Sequence, residues 1–260
     1  MKSEKDNRLG EERLNFQGCL MRIVEYNRCT NIVVEFQDKY NARVHTDYSC
    51  FTSGRVKNPY YPSVYGVGIT GNKYTVSLGD RVCTKEYITW NRMLSRCFDD
   101  KYKTMEPAYK DVTCCEEWLM FDNFWEWIHS QPNYDKWLNE EDWALDKDIL
   151  LKGNKVYSSK FCCLVPRTIN SILIKRDRDR GNLPIGVTKH GDRFRARCEN
   201  PILGKRKHIG VFDTAEEAFN AYKQYKENVI KQVAQIEFDS GNITKECYNA
   251  LMKYEVEITD

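Results

Sequence analysis

Between Lys175 and Lys207 the chain carries eleven Lys/Arg (175, 176, 178, 180, 189, 193, 195, 197, 205, 206, 207) and four Asp/Glu (177, 179, 192, 199). That is a local excess of seven positive charges in a protein whose net charge is only +2. Cations at this density neutralise phosphates and release counterions, so the partner they imply is a polyanion. Their spacing says more. Arg195 and Arg197 stand two apart in DRFRARCE, and Arg206 and His208 stand two apart in KRKHIGVF. Residues two apart on an extended chain share a face. Each pair therefore points one way, joined by Thr188 and His190 of the preceding PIGVTKH. Forked guanidinium donors on a narrow sheet suit guanine edges and phosphates, and such a sheet can enter a major groove. The expected partner is double-stranded DNA.

The elements that must position these side chains follow from the same stretch. PIGVTK, DRFRARCE and KRKHIGVF read as three short strands, and DTAEEAFNAYKQYKENVIKQVA reads as a helix. Asp213 or Thr214 serves as its N-cap, and Glu216 and Glu217 fall in the first turn, where the helix dipole favours negative charge. Ala218, Phe219, Tyr222 and Tyr225 lie on one helical face. That face is expected to bury Phe194, Ala196, Ile209 and Val211, leaving the opposite side of the sheet to the basic residues.

IGVT (185–188), FRARCE (194–199) and KHIGVFDTAEEAFNAY (207–222), with their spacing, resemble the ethylene-response-factor (APETALA) type of DNA-binding domain, which also occurs in phage homing endonucleases. The resemblance covers about 55 residues. It implies a three-stranded sheet docked in the major groove, with contacts at Thr188, His190, Arg195, Arg197, Arg206 and His208. The chain departs from the plant pattern in lacking the strand tryptophans and in having Thr188 where Arg is usual, so the base preference does not carry over.

A second resemblance lies upstream. LDKDILLKGNKVYSSKFCCLVPRTIN is similar to the LDRID-x-x-GNY-type segment of phage HNH nucleases, a ββα finger that grips one divalent metal. The preceding TWNRMLSRC and CCEEWLMFDNFWEW look like the helical lead-in of that group. The resemblance implies Asp146 as a metal ligand, Lys147 at the general-base position, Asn154 as the loop asparagine that orients the base, and Asn170 as a ligand from the helix. The usual base is His, and no His lies between His129 and His190. An ordinary lysine, with a pKa near about 10.4, is a poor base at neutral pH. Asp148 is the next carboxylate, two residues on and expected on the same strand face as Asp146. Together they would offer oxygen ligands to Mg²⁺ or another divalent cation, and Asp148 joins Lys147 and Asn154 as a catalytic candidate. The segment itself reads as strand, turn at Lys152-Gly153-Asn154, strand, then helix.

The rest of the chain carries less chemistry. Residues 16–80 are rich in β-formers and suggest a small antiparallel sheet or barrel, a possible surface for a protein partner. Tyr60, Tyr61 and Tyr65 could stack on bases, but are read as packing of that small core. Tyr87, Ile88, Trp90, Met93, Leu94 and Cys97 have helical spacing, as do Trp118, Leu119, Phe121, Phe124, Trp125 and Ile128, and both stripes read as core. The eleven cysteines include no C-x-x-C pair. They are expected to be small buried hydrophobes in a reducing cytosol, with a metal site at Cys97, Cys114 and Cys163 as the alternative. No apolar run reaches the roughly 20 residues needed to span a bilayer, and the charged N-terminus lacks the core of a secretory signal.

The expected fold is therefore α+β and multidomain: a small β domain at 1–82, a helical and ββα block at 83–176, a three-stranded sheet on one helix at 181–238, and a tail helix at 239–260. The expected function is sequence-directed DNA binding in the cytoplasm by a phage HNH-type metal-dependent endonuclease. The alternative is a catalytically degenerate binding, regulatory or counter-defence protein.

Overall fold

A computed structural model describes residues 8–173 and 182–258. Lys175, Arg176, Arg178 and Arg180 of the basic stretch lie outside the described residues. The chain is mixed α+β with several small sheets, and it divides into two compact units, Met1–Glu126 and Trp127–Asp260. That division falls inside the block expected at 83–176. Among the described residues no helix is long and apolar enough to cross a membrane.

In the N-terminal unit, β1 (Glu12–Leu14), β2 (Leu20–Arg28), β3 (Asn31–Phe36) and β4 (Arg43–Thr46) form an antiparallel sheet in chain order. Alternation along β2 sends Met21 and Ile23 inward. An irregularity between Ile23 and Glu25 then shifts the phase, so that Tyr26 is the next residue buried. Helix α1 (Tyr48–Thr52), capped by Asp47, adds Phe51 to this core. Tyr60 stacks on Tyr40 with ring centroids 4.3 Å apart, whereas Tyr61 and Tyr65 are 38% and 39% exposed and do not pack the core as expected.

After the short strands β5 (Ser77–Gly79) and β6 (Val82–Cys83) comes α2 (Lys85–Phe98), capped by Thr84, with Trp90, Met93, Leu94 and Cys97 buried. Ile88, expected in that stripe, is 37% exposed. Helix α3 (Asp100–Met105) and a two-residue strand, β7 (Thr113–Cys114), follow. The second expected helix is interrupted: a 3-10 turn at Glu116–Leu119 precedes α4 (Phe121–His129), with Met120 extended between them. The cause is a competing partner. Ile69 donates to Leu119 O and accepts from Phe121 N at 2.8 and 2.9 Å, taking backbone groups a continuous helix would have used. Trp90 ties the pieces together through its ring N–H, 2.7 Å from Trp118 O.

The C-terminal unit contains α5 (Tyr134–Asn139), β8 (Trp143–Asp146), β9 (Val156–Tyr157), β10 (Cys163–Pro166), α6 (Arg167–Ile172), β11 (Val187–His190), β12 (Arg193–Asn200), β13 (Lys205–Phe212), α7 (Ala215–Asp239) and α8 (Lys245–Met252). β8 pairs antiparallel with β10 and α6 packs on both, while β11, β12 and β13 form a separate three-stranded antiparallel sheet backed by α7. Thr214 is the N-cap of α7, and a full capping box with Glu217 fixes where the helix begins. The first turns of α7 cover the sheet with Ala218, Phe219 and Tyr222, and its later turns carry Val229, Ile230 and Val233 beside α8. Ile149, Cys163, Val165 and Ile169 of the β8–β10–α6 finger belong to the same hydrophobic core as Val187, Ala196 and Phe219 of the sheet and helix. The finger and the sheet are thus one packed body, as are Cys247 and Leu251 of the tail helix.

Candidate nucleic-acid interface

The three-stranded sheet sorts its residues by face. Phe194, Ala196 and Cys198 of β12 turn to α7 and belong to its core, so Arg193, Arg195, Arg197 and Glu199 turn outward. Cross-strand register places Thr188 opposite Arg195, His190 opposite Arg193, His208 opposite Arg197 and Arg206 opposite Glu199. All six side chains predicted to contact DNA therefore stand on the face away from α7. Thr188, His190, Arg206 and His208 are exposed, and Arg195 and Arg197 are half-buried.

Val211 does not lie beneath α7 as expected. A bulge in the β12–β13 pairing after Ala196 leaves Ile209 without an opposite residue, so Gly210 pairs with Ala196 and Val211 with Arg195. Val211 consequently falls on the outer face and Phe212 takes the place beneath α7 predicted for it. Ile209 still packs against the core.

The cations differ in how they are held. Arg206 donates Nε and Nη2 to Glu199 Oε1 at 2.7 and 2.6 Å, and Arg193 Nε lies 2.7 Å from Asp213 Oδ1. These pairs are exposed, so water screens them and each contributes little to stability. Arg193 and Glu199 were not among the predicted site residues, although strand alternation alone puts both on the outer face. Among the described residues Arg195 and Arg197 have no carboxylate partner, and Arg195 Nε is buried without a hydrogen bond. A buried guanidinium N–H left without an acceptor carries a desolvation cost.

The upstream finger sets its residues differently from the expected pattern. β8 ends at Asp146, whose partner across the hairpin is Cys163. Asp146 is 8% exposed, and its Oδ1 accepts from the backbone amides of Asp148 and Ile149 at 2.8 and 2.9 Å. Burial, reinforced by the nearby Asp148 charge, pushes the Asp146 carboxyl up to about 6. Because the chain turns immediately after Asp146, Asp148 lies in the turn, and the predicted shared strand face does not exist. The Lys152-Gly153-Asn154 turn is present, with Gly153 at φ +79°. The strand that pairs with β8 is β10, however, well beyond that turn.

Asn154 donates Nδ2 to the carbonyls of Lys147 and Val156 at 2.6 and 2.8 Å, and Lys147 Nζ donates back to Asn154 O at 3.2 Å. Lys147 Nζ also lies 3.3 Å from Asp148 Oδ2. The geometry thus joins Lys147, Asp148 and Asn154 in one clamp. Asn170 is half-buried on α6, and among the described residues its side chain makes no hydrogen bond.

None of the eleven cysteines is in a disulfide; five are buried, five intermediate and one, Cys29, exposed, so the expectation of buried hydrophobes describes about half of them. Among the described residues no group of three or more His, Cys, Asp and Glu is placed to hold a metal. No protein-family model, no curated protein and no solved structure matches this chain.

Proposed function

We propose that this protein binds double-stranded DNA through the outer face of the β11–β12–β13 sheet. The observation that carries the reading is the pair Arg195 and Arg197. Both stand on the face away from α7, free of carboxylates among the described residues, and flanked by Thr188, His190 and His208. A guanidinium fork is matched to phosphate oxygens and to guanine O6/N7. The Glu199–Arg206 pair at one end of the array leaves Arg206 one direction to share with a ligand. Arg195→Ala with Arg197→Ala is expected to weaken duplex binding at least about tenfold in a fluorescence-anisotropy titration. Unchanged affinity in a variant that keeps its circular-dichroism spectrum contradicts the reading.

A second, catalytic reading rests on the finger. Asp146 at the strand end, Asp148 beside it and Asn170 on the packed helix would supply oxygen donors of the kind Mg²⁺ prefers. The fit is partial: Asp146 Oδ1 is committed to two amides and Asp148 is engaged by Lys147. A divalent ion there would stabilise charge developing on a phosphodiester. The chain's own contribution is positional, since Asn154 fixes the Lys147 carbonyl and so the backbone beside Asp146. The Lys147 ammonium turns its protons to Asp148 and Asn154 O, an arrangement that serves the loop better than it serves a water molecule. Supercoiled plasmid separates the two forms of the proposal. Nicking that needs Mg²⁺ or Mn²⁺ and disappears in Asp146→Ala marks an endonuclease. Duplex binding without nicking marks the degenerate finger, a protein that grips DNA to regulate or to block.

A further inference from the structure

Cys163 on β10 and Cys247 on α8 are far apart in sequence but meet inside the C-terminal unit. Both belong to its hydrophobic core, at 3% and 0% exposure. Each is placed by its own device. Cys163 is held by the β8–β10 pairing, where its partner is Asp146. Cys247 lies in the first turn of α8, and its amide donates to the capping oxygen of Thr244 at 3.3 Å. Between them these two devices bring the cysteine side chains into hydrogen-bond contact.

A buried thiol is ordinarily inert, because reagents do not reach it. Here a cavity of about 530 Å³ reaches the pair. Cys163 belongs to its wall, together with Ile243, Thr244 and Glu246, the residues that lead into Cys247. The space is many times what a water-sized molecule needs. The contact with Cys247, and then burial, hold the proton on the Cys163 sulfur. Its reaction with an oxidant is therefore slow compared with that of an activated thiol, and the pair is distinguished by its product.

We propose that Cys163 and Cys247 are a redox pair, which a peroxide entering through the cavity converts to a disulfide tying α8 to the β8–β10 hairpin. The sulfur of Cys163 loses its proton and attacks one peroxide oxygen. The O–O bond breaks, water leaves and a sulfenic acid remains. The sulfur of Cys247 then displaces the hydroxyl as a second water, so that one hydrogen peroxide takes two electrons from two thiols. The sulfurs need only close from contact to bonding distance, about 2 Å. The cross-link closes a long loop, the kind that constrains the unfolded chain most. It also fixes the tail helix against the strand that faces Asp146, and a thiol reductant reverses it. None of this depends on binding or cutting DNA.

The test treats the full chain with hydrogen peroxide, blocks the remaining thiols with iodoacetamide, and maps the products by mass spectrometry of a non-reducing digest. A peptide pair joined through Cys163 and Cys247, having lost two hydrogens and released by dithiothreitol, supports the redox pair. Cys247→Ala is expected to abolish that species. The wild-type map decides the matter by itself should the variant fold poorly. Oxidation confined to other cysteines, such as the exposed Cys29, or a cross-link that joins Cys162 in place of Cys163, overturns the assignment. The linked protein is expected to melt several degrees higher than the reduced one. Equal Tm values, with equal amide-exchange protection in α8, overturn the latch.

Discussion

Single side chains decide several local structures here, and their consequences can be measured one at a time. Asp122 is buried at the start of α4, with Oδ1 lacking a hydrogen-bond partner, and the backbone of Gly71 lies against its carboxylate. Burial pushes its carboxyl above the usual range, opposed by the backbone amides of Lys73 and Tyr74 and by the Lys73 charge, and aided by Glu126. A raised native pKa means the folded state holds its proton longer than the unfolded chain does. The stability associated with Asp122 is therefore present at acid pH and lost as pH rises from the ordinary carboxylate value, about 3.9, through the raised one. Asp122→Asn is expected to flatten that part of the pH–stability curve, read by urea denaturation at a series of pH values. A wild-type minus variant difference that stays constant across the interval contradicts this. Asn154 has a different role. Replacing it with Ala removes two hydrogen bonds to backbone carbonyls, and an expected loss of about 1–3 kcal/mol should appear in the same denaturation measurement.

Among the elements, the three-stranded sheet and α7 were the most legible in the sequence, because each obeys one strong period. The alternation in FRARC and the Thr214–Glu217 capping box leave few ways to fold that stretch. What escaped notice depends on partners distant in sequence. The bulge at Ile209 reverses which of Val211 and Phe212 lies beneath the helix, and it arises from pairing with β12, not from any local signal. Met120 is extended only because Ile69 competes for its neighbours' backbone groups. The true partner of β8 is β10, which the intervening turn concealed. The site residues followed the same division. The outer-face array could be read from spacing, but the Glu199–Arg206 and Lys147–Asp148 pairings needed coordinates. Two substitutions examine these elements. Gly186→Ala strains a φ of +78° and drives a methyl into Tyr222, so a clear fall in Tm is expected, and an unchanged Tm would show that β11 can shift off α7 freely. Thr214→Ala removes the cap and should cost about 1 kcal/mol.

For the molecule as a whole, the notable feature is that the β8–β10–α6 finger and the sheet share one hydrophobic core instead of forming two beads on a string. Whatever the finger does, it does at a fixed position relative to the sheet within the C-terminal unit. Ile169→Ala, a cavity in that core, should cost about 2–5 kcal/mol. It should lower amide-exchange protection in β12 together with β10, whereas protection lost in β10 alone would mean that the two parts unfold separately. The charge distribution acts at the same scale, since in a nearly neutral chain residues 187–212, which form this sheet, carry seven Lys/Arg against two Asp/Glu. The most direct measurement is duplex affinity against salt concentration for wild type and for the Arg195→Ala/Arg197→Ala variant. Two phosphate-contacting arginines contribute about 0.9 each to the slope of log affinity on log salt. The variant should therefore bind more weakly with a slope shallower by nearly two, and a wild-type protein that binds no duplex even at low salt, or a variant whose slope equals that of wild type, contradicts a DNA-gripping sheet.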